Sequence, residues 1–355
     1  MLIKRRLLTL FYLILGVGLL LLVIQNSDIR FIHAKLTEIG FFGAVSVLAV
    51  YFVRFLIDTA SWHLTIERLG GRFRRLYDLW KIRMVGETFN IATPLGTMGG
   101  EPVKAALLKN VLGVAYDQGI ASLVLAKTIN LIALVAYLCI GYGLILLSPQ
   151  FSVAFKFSAG IGLLAFSLGI MGFFCIQRFH SDRRRFLPYT LRQTVAQVVR
   201  RYEVIRARIA SILFWQRRAI FPHDIPRFFL NWIVGTMKVF VIAVFLESPI
   251  SIWEAWILES AVQLTRAATF FIPLSLGTQE GALFMVTAAI TGDEASGVAI
   301  SLVKRMREIV WIAWGFAIAW RMPITSKKPL PRTVQTCGHQ AIPSMPAMQS
   351  IHRAM

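Results

Sequence analysis

The sequence predicts an all-α polytopic membrane protein in which six transmembrane helices and two re-entrant helical hairpins form inverted repeats. Three observations lead there. The chain is 56% hydrophobic with mean hydropathy +0.64, and its apolar residues collect in runs long enough to cross a hydrocarbon core of about 30 Å. Two of those runs are interrupted by proline, glycine and a carboxylate, a composition that no continuous helix absorbs. The 38 Lys and Arg outnumber the 18 Asp and Glu and gather in alternate connections, which sets the direction of each span. This topology accounts for the net charge of +20 without nucleic acid as a partner.

Taken in order, Lys4-Arg5-Arg6 precedes an apolar run at 7–24 with no small-residue cleavage site behind it, so a retained first span is expected from a cytoplasmic N-terminus. The second span, 39–60, carries Arg54 and Asp58 one turn apart, placed to neutralise each other as an i,i+4 pair. Residues 61–83 hold six Lys or Arg and read as a cytoplasmic loop. Then comes Pro94-Leu-Gly-Thr-Met-Gly-Gly-Glu-Pro-Val-Lys104, between apolar arms at 84–93 and 103–112. Each arm is about 15 Å long, half a bilayer core, so the segment is predicted to enter and leave on one side. Irregular backbone at that depth survives only inside protein or beside a wet cavity, which places the expected site at the turn.

The run 118–147 crosses outward and contains Lys127, whose amine either snorkels to the near interface or faces the cavity. The run 155–176 returns. Eleven arginines follow between 178 and 225, and apolar residues recur at helical spacing across 183–215. That amphipathic cytoplasmic helix suits either adhesion to anionic headgroups or packing on the bundle. Pro226 opens the span 227–246, and Glu247 and Glu254 belong to an outer loop. Pro273-Leu-Ser-Leu-Gly-Thr-Gln-Glu-Gly281 is a second broken segment, flanked by 253–272, with Glu259 and Arg266 on one face, and by 282–290. Gly292-Asp-Glu is an outer turn, and 296–320 is the last span, with Lys304, Arg305, Arg307 and Glu308 inside it. The basic, proline-containing residues 323–355 are expected to be a disordered cytoplasmic tail.

The two broken segments share a register. Pro94 and Pro273 lie 179 residues apart, and the same shift carries Glu101 onto Glu280, Gly113 onto Gly292 and Ser122-Leu-Val124 onto Ser301-Leu-Val303. The inner connections are basic, whereas the outer ones at 25–38, 247–254 and 292–295 hold six acidic residues against Arg30 and Lys35. With both termini inside, the hairpins enter from opposite faces, and residues 1–147 and 155–321 become inverted repeats within one domain, 1–322.

Glu101 and Glu280 stand just past broken helices, where a carboxylate is expensive unless it is paired or functional. Either each caps its own hairpin or pairs with Lys104 or Arg266, or the two bind a cationic group or exchange protons. In the second case Lys104, Lys127, Arg266, Lys304, Arg305 and Arg307 are the cations that could hold a phosphate. No nucleophile–base pair, metal cluster or phosphate loop is apparent: Gly96-Thr-Met-Gly-Gly has the wrong spacing, and the six histidines are scattered. Cys139, Cys175 and Cys337 offer neither a disulfide framework nor a metal spacing. No enzyme activity, catalytic residue, cofactor or metal is therefore expected.

In Gly86-Glu-Thr-Phe-Asn-Ile-Ala-Thr-Pro94, Gly99-Gly-Glu-Pro-Val-Lys-Ala105 and Pro273-Leu-Ser-Leu-Gly-Thr-Gln-Glu-Gly-Ala282 the chain resembles the flippase-like family, the transmembrane region of lysylphosphatidylglycerol synthetase/flippase. The resemblance covers most of 1–322. It implies movement of a lipid from the cytoplasmic to the outer leaflet of a bacterial inner membrane, with Asn90, Pro94, Gly99, Gly100, Glu101, Gly277, Glu280 and Gly281 in the site. Leu274 and Ser275 depart from the family's usual Pro-Gly-Gly-Leu-Gly. The soluble aminoacyl-transferring domain of the full synthetase has no counterpart here, since about thirty residues follow the last span and a domain takes at least about 50. Some relatives are associated with isoprenoid or hopanoid lipids, so the expected partners are membrane lipids with an anionic or polar headgroup. The competing expectation is a non-transporting scaffold for a lipid or glycan biosynthetic enzyme, docked through the basic helix.

Overall fold

The structure is a computed structural model that describes residues 29–66, 73–92, 99–179, 221–269, 272, 275 and 277–322. The predicted first span, the basic helix at 183–215, Pro94 and the tail lie outside the described residues, all of which belong to one compact unit, residues 1–324. Nine helices and no strand are seen among them: α1 Ile29–Thr65, α2 Phe73–Ala92, α3 Glu101–Leu112, α4 Tyr116–Leu147, α5 Val153–Phe179, α6 Phe221–Phe245, α7 Ile252–Ala268, α8 Thr278–Thr291 and α9 Glu294–Arg321.

Among the described residues four helices are long and apolar enough to cross a membrane: Ile39–Thr65 of α1, Tyr116–Leu147, Val153–Gly172 of α5 and Ile225–Phe245 of α6. The shortest, 20 residues, reaches about 30 Å. Polarity is inverted relative to a water-soluble protein. Phe42 and Val153 are more than three-quarters exposed, whereas Glu259, Lys304 and Lys238 are 0, 1 and 2% exposed. Such a surface is stable against lipid chains and would aggregate in water. α9 is 28 residues long, enough to span, but carries Lys304, Arg305, Arg307 and Glu308 at its centre, all buried.

Local chemistry accounts for the helix ends. Ser251 and Glu254 form a capping box at the start of α7, Glu254 thus lying inside a helix rather than in a loop. Asp293 accepts from the amides of Ala295 and Ser296 at the start of α9. Gly113 and Gly292 close α3 and α8 in the left-handed conformation, at φ 70 and 71.

Several elements run longer than their composition suggests. α1 begins at Ile29, inside the predicted outer loop, and turns at Gly40, where φ is 57. α2 begins at Phe73, inside the predicted cytoplasmic loop, so the leading arm of the first broken segment is 20 residues and about 30 Å rather than 84–93 and half a membrane. Leu79, Ile82 and Val85 explain it: they recur along one face of α2 and bury in one cluster with Trp62 of α1, Ile66 just after it and Leu108 of α3.

A shift of 179 residues also relates some helix ends. It carries the first residue of α2, Phe73, onto Ile252, the first of α7, and the last of α3, Leu112, onto Thr291, the last of α8. Buried Ser122 and Ser301 correspond, and each hydroxyl donates to the carbonyl three residues back, at 2.8 and 2.7 Å. Packing follows the same correspondence. α2 lies on α3 as α7 lies on α8, α3 on α4 as α8 on α9, and α1 on α6. Across the molecule α4 packs on α7 and α9 on α2, each through a glycine against a hydroxyl, Gly141 on Ser260 and Gly315 on Thr88.

Candidate functional site

Between α2 and α3 the backbones nearly touch. A Cβ on Gly100 would stand 1.8 Å from the Gly86 carbonyl oxygen, and one on Gly86 would strike the Lys104 side chain at 2.2 Å. That approach lets the Gly100 amide donate to Asn90 Oδ1 at 2.7 Å. Asn90 Nδ2 then donates to Glu101 Oε1 at 3.2 Å and, at 3.4 Å, to Glu87 Oε2. Lys104 reaches Glu101 Oε1 at 3.0 Å and Glu87 at 3.9 Å. Lys127 of α4 faces the same carboxylate at 3.5 Å, which decides its direction in favour of the site. Asn90, Gly100, Glu101, Lys104 and Lys127 are thus one group, with Gly99 in the turn that leads into α3. Glu87 completes the group although the sequence reading passed it over; its signal was its place in the Gly86 to Pro94 motif, one turn before Asn90.

The second group forms where α8 starts. Gly277, at φ 76, turns the chain into α8, and Glu280 in its first turn is 1% exposed. Arg305 of α9 donates through Nε to Glu280 Oε1 at 2.5 Å, through Nη1 to Glu308 Oε2 at 2.7 Å and through Nη2 to the Ser275 carbonyl at 3.2 Å. Arg307 donates to the other oxygen of Glu308 at 3.2 Å and lies 3.8 Å above the Tyr51 ring. Arg266 of α7 is within electrostatic range of Glu308 but is not the partner of Glu280; Arg305 is. Gly281 faces open space. Pro94 and Pro273 lie outside the described residues.

The first group draws on α2, α3 and α4, and the second on α8 and α9. α9, which carries Arg305, packs directly on α2, which carries Asn90, with Trp311 and Met84 in one cluster and Gly315 against Thr88. In both groups the carboxylate is half used. Glu101 Oε2 and Glu280 Oε2 are buried without a hydrogen-bond partner among the described residues, as are both amide atoms of Gln279. A bare carboxylate oxygen away from water costs about 1–3 kcal/mol or more, so each is a standing acceptor for an incoming donor.

Asp58 pairs with Arg83 of α2, and Arg54 lies 5.3 Å over Trp232, in place of the expected i,i+4 pair. A third group joins three helices: Glu259 of α7 meets Lys238 of α6 at 3.4 Å and Lys304 of α9 at 3.0 Å. The sequence reading did not single out Lys238, a lone amine in the span 227–246. An apolar cavity of about 220 Å³ opens elsewhere, between α4, α5, α7 and α8, lined by residues including Leu138, Leu163, Leu264 and Met285 and touching neither Glu101 nor Glu280. No group of His, Cys, Asp and Glu able to hold a metal occurs among the described residues.

Comparison with curated proteins found no match, and neither did comparison with solved structures. The family model described as the lysylphosphatidylglycerol synthase TM region matches residues 9–315, most of the chain and all three groups, and the chain belongs to that family.

Proposed function

We propose that this multi-pass membrane protein moves a lipid with an anionic or polar headgroup between the leaflets of a bacterial inner membrane. It does so as a transporter rather than an enzyme, with both termini in the cytoplasm. The observation that carries the reading is the pair of half-used carboxylates, Glu101 and Glu280, at corresponding places after two broken helices. Each presents one oxygen to a cation and leaves the other for a donor on the headgroup. Lys104 and Lys127 at the first, and Arg305 and Arg266 at the second, supply positive charge for its phosphate.

Architecture supports this. The shared helix boundaries, the paired left-handed caps and the reciprocal packing of α4 on α7 and α9 on α2 are what two repeats related by a pseudo-twofold produce. Charge in the connections makes them inverted, with α2–α3 and α7–α8 as hairpins from opposite faces. The apolar cavity beside α5 has room for part of a lipid chain. Reconstitution into liposomes with leaflet-specific labels on anionic, zwitterionic, aminoacylated and isoprenoid lipids tests the reading. Movement of one class above protein-free vesicles is expected. If a folded preparation moves none, the scaffold role takes its place.

A further inference from the structure

Lys238, Glu259 and Lys304 stand apart from both proposed headgroup groups, and all three are almost fully buried, at 2, 0 and 1% exposed. Glu259 Oε2 accepts from Lys304 at 3.0 Å, and Oε1 accepts from Lys238 at 3.4 Å and from Gln263 Nε2 at 2.8 Å. Two amines therefore share one carboxylate. Arg54 of α1 and Arg307 of α9 lie within electrostatic range of Lys238, and Arg266 within range of Lys304; Glu308 is also within range of Lys304, but its two oxygens are held by Arg305 and Arg307. Tyr137 of α4 also borders Glu259, its hydroxyl bonded to Thr236 at 2.6 Å. A carboxylate compensates one ammonium. Among the described residues the second amine has no carboxylate of its own within salt-bridge distance, and a buried ammonium so placed is costly to keep charged.

The third member ties this group to the site. Lys304 is followed directly by Arg305, which holds Glu280 at 2.5 Å. A movement of α9 that respaces Lys304 from Glu259 carries Arg305 with it. Resting on the transport reading, we propose that the Lys238–Glu259–Lys304 triad is the proton-carrying site that couples lipid movement to the transmembrane pH gradient. The step is the loss of one proton from an ammonium of the triad to water. Only that N–H bond breaks, a neutral amine remains, and Glu259 stays a carboxylate.

The test uses the full chain. Lysine carrying a ¹³C label at Cε reports amine protonation by NMR in lipid nanodiscs, and the Lys238→Met and Lys304→Met variants assign the buried resonances. One of the two is expected to lose its proton at a lower pH than a solvent-exposed lysine does. In liposomes carrying fluorescent phosphatidylglycerol or an isoprenoid phosphate, a gradient of about one pH unit is expected to change the wild-type rate by up to about tenfold. Lys238→Met leaves Glu259 and Lys304 as a balanced pair and should fold, with the gradient response lost. Lys238→Arg keeps the charge but cannot release the proton. If Lys238→Arg restores gradient sensitivity, the triad is only a structural tie and the inference falls. Buried resonances that stay at the ammonium position throughout overturn it whether or not lipid moves, as does lipid movement indifferent to the gradient. An absence of any lipid movement removes the transport reading and this coupling together, a result distinct from movement without pH dependence.

Discussion

Glu101 and Glu280 are separated from ordinary salt-bridge residues by what remains when each is neutralised. In Glu280→Gln, Arg305 keeps Glu308 at 2.7 Å and the Ser275 carbonyl, so no buried cation is orphaned. In Glu101→Gln, Lys104 keeps Glu87 at 3.9 Å. Both variants should fold, with thermal midpoints in detergent close to wild type, while lipid movement in liposomes falls at least about tenfold, the scale of one lost charge-assisted hydrogen bond. Glu259→Gln is the contrasting case. It leaves Lys238 and Lys304 facing each other without a carboxylate, and a loss of about 3–5 kcal/mol is expected, enough to lower the yield of folded protein in size-exclusion chromatography. A stable Glu259→Gln would mean that neither lysine is charged in the folded state.

The broken segments depend on glycine for two different reasons. Gly100 has an ordinary φ of −87 and is required for space, since its Cβ would overlap the Gly86 carbonyl. Gly277 is required for conformation, at φ 76. Gly100→Ala should part α2 from α3 and break the amide bond to Asn90, costing about 1–3 kcal/mol or more. Gly277→Ala should cost about 1–3 kcal/mol through backbone strain and displace Glu280 from Arg305. Thermal unfolding beside lipid movement checks both, and a Gly100→Ala protein as stable and active as wild type would contradict the close approach. The crossing of α9 on α2 is similar: a Cβ on Gly315 would lie 1.7 Å from Thr88 Oγ1, so Gly315→Ala should destabilise and Thr88→Ala should partly restore it.

For the whole molecule, the topology follows from Lys and Arg in short connections and is testable independently of transport. A single cysteine replacing Asp293, between α8 and α9, should react with an impermeant thiol reagent from outside intact cells. One replacing Arg184 should react only after the membrane is opened. Labelling of both from outside would exclude opposed hairpins. Tertiary organisation also explains how α9 tolerates four buried charges at its centre. Every one meets an opposite charge, Lys304 with Glu259, Arg305 with Glu280, and both Arg305 and Arg307 with Glu308, so α9 can cross inside the bundle.

The sequence by itself determined the class, the two interruptions, the 179-residue register and the placement of Glu101 and Glu280 beside them. These follow from hydropathy, from the missing proline donor and from residue spacing, which are properties of the chain read locally. It also marked Lys104 as a partner for Glu101, because three residues along a helix is a neighbouring position. Only the tertiary structure decided the remaining partners: Arg305 rather than Arg266 for Glu280, Arg83 for Asp58, and Lys238 with Lys304 for Glu259. The length of α2 was decided there too, by burial of Leu79 and Ile82 against neighbouring helices despite the arginines around them. Which charges meet depends on the rotation and offset of whole helices, and those are set by side-chain packing between segments far apart in the chain.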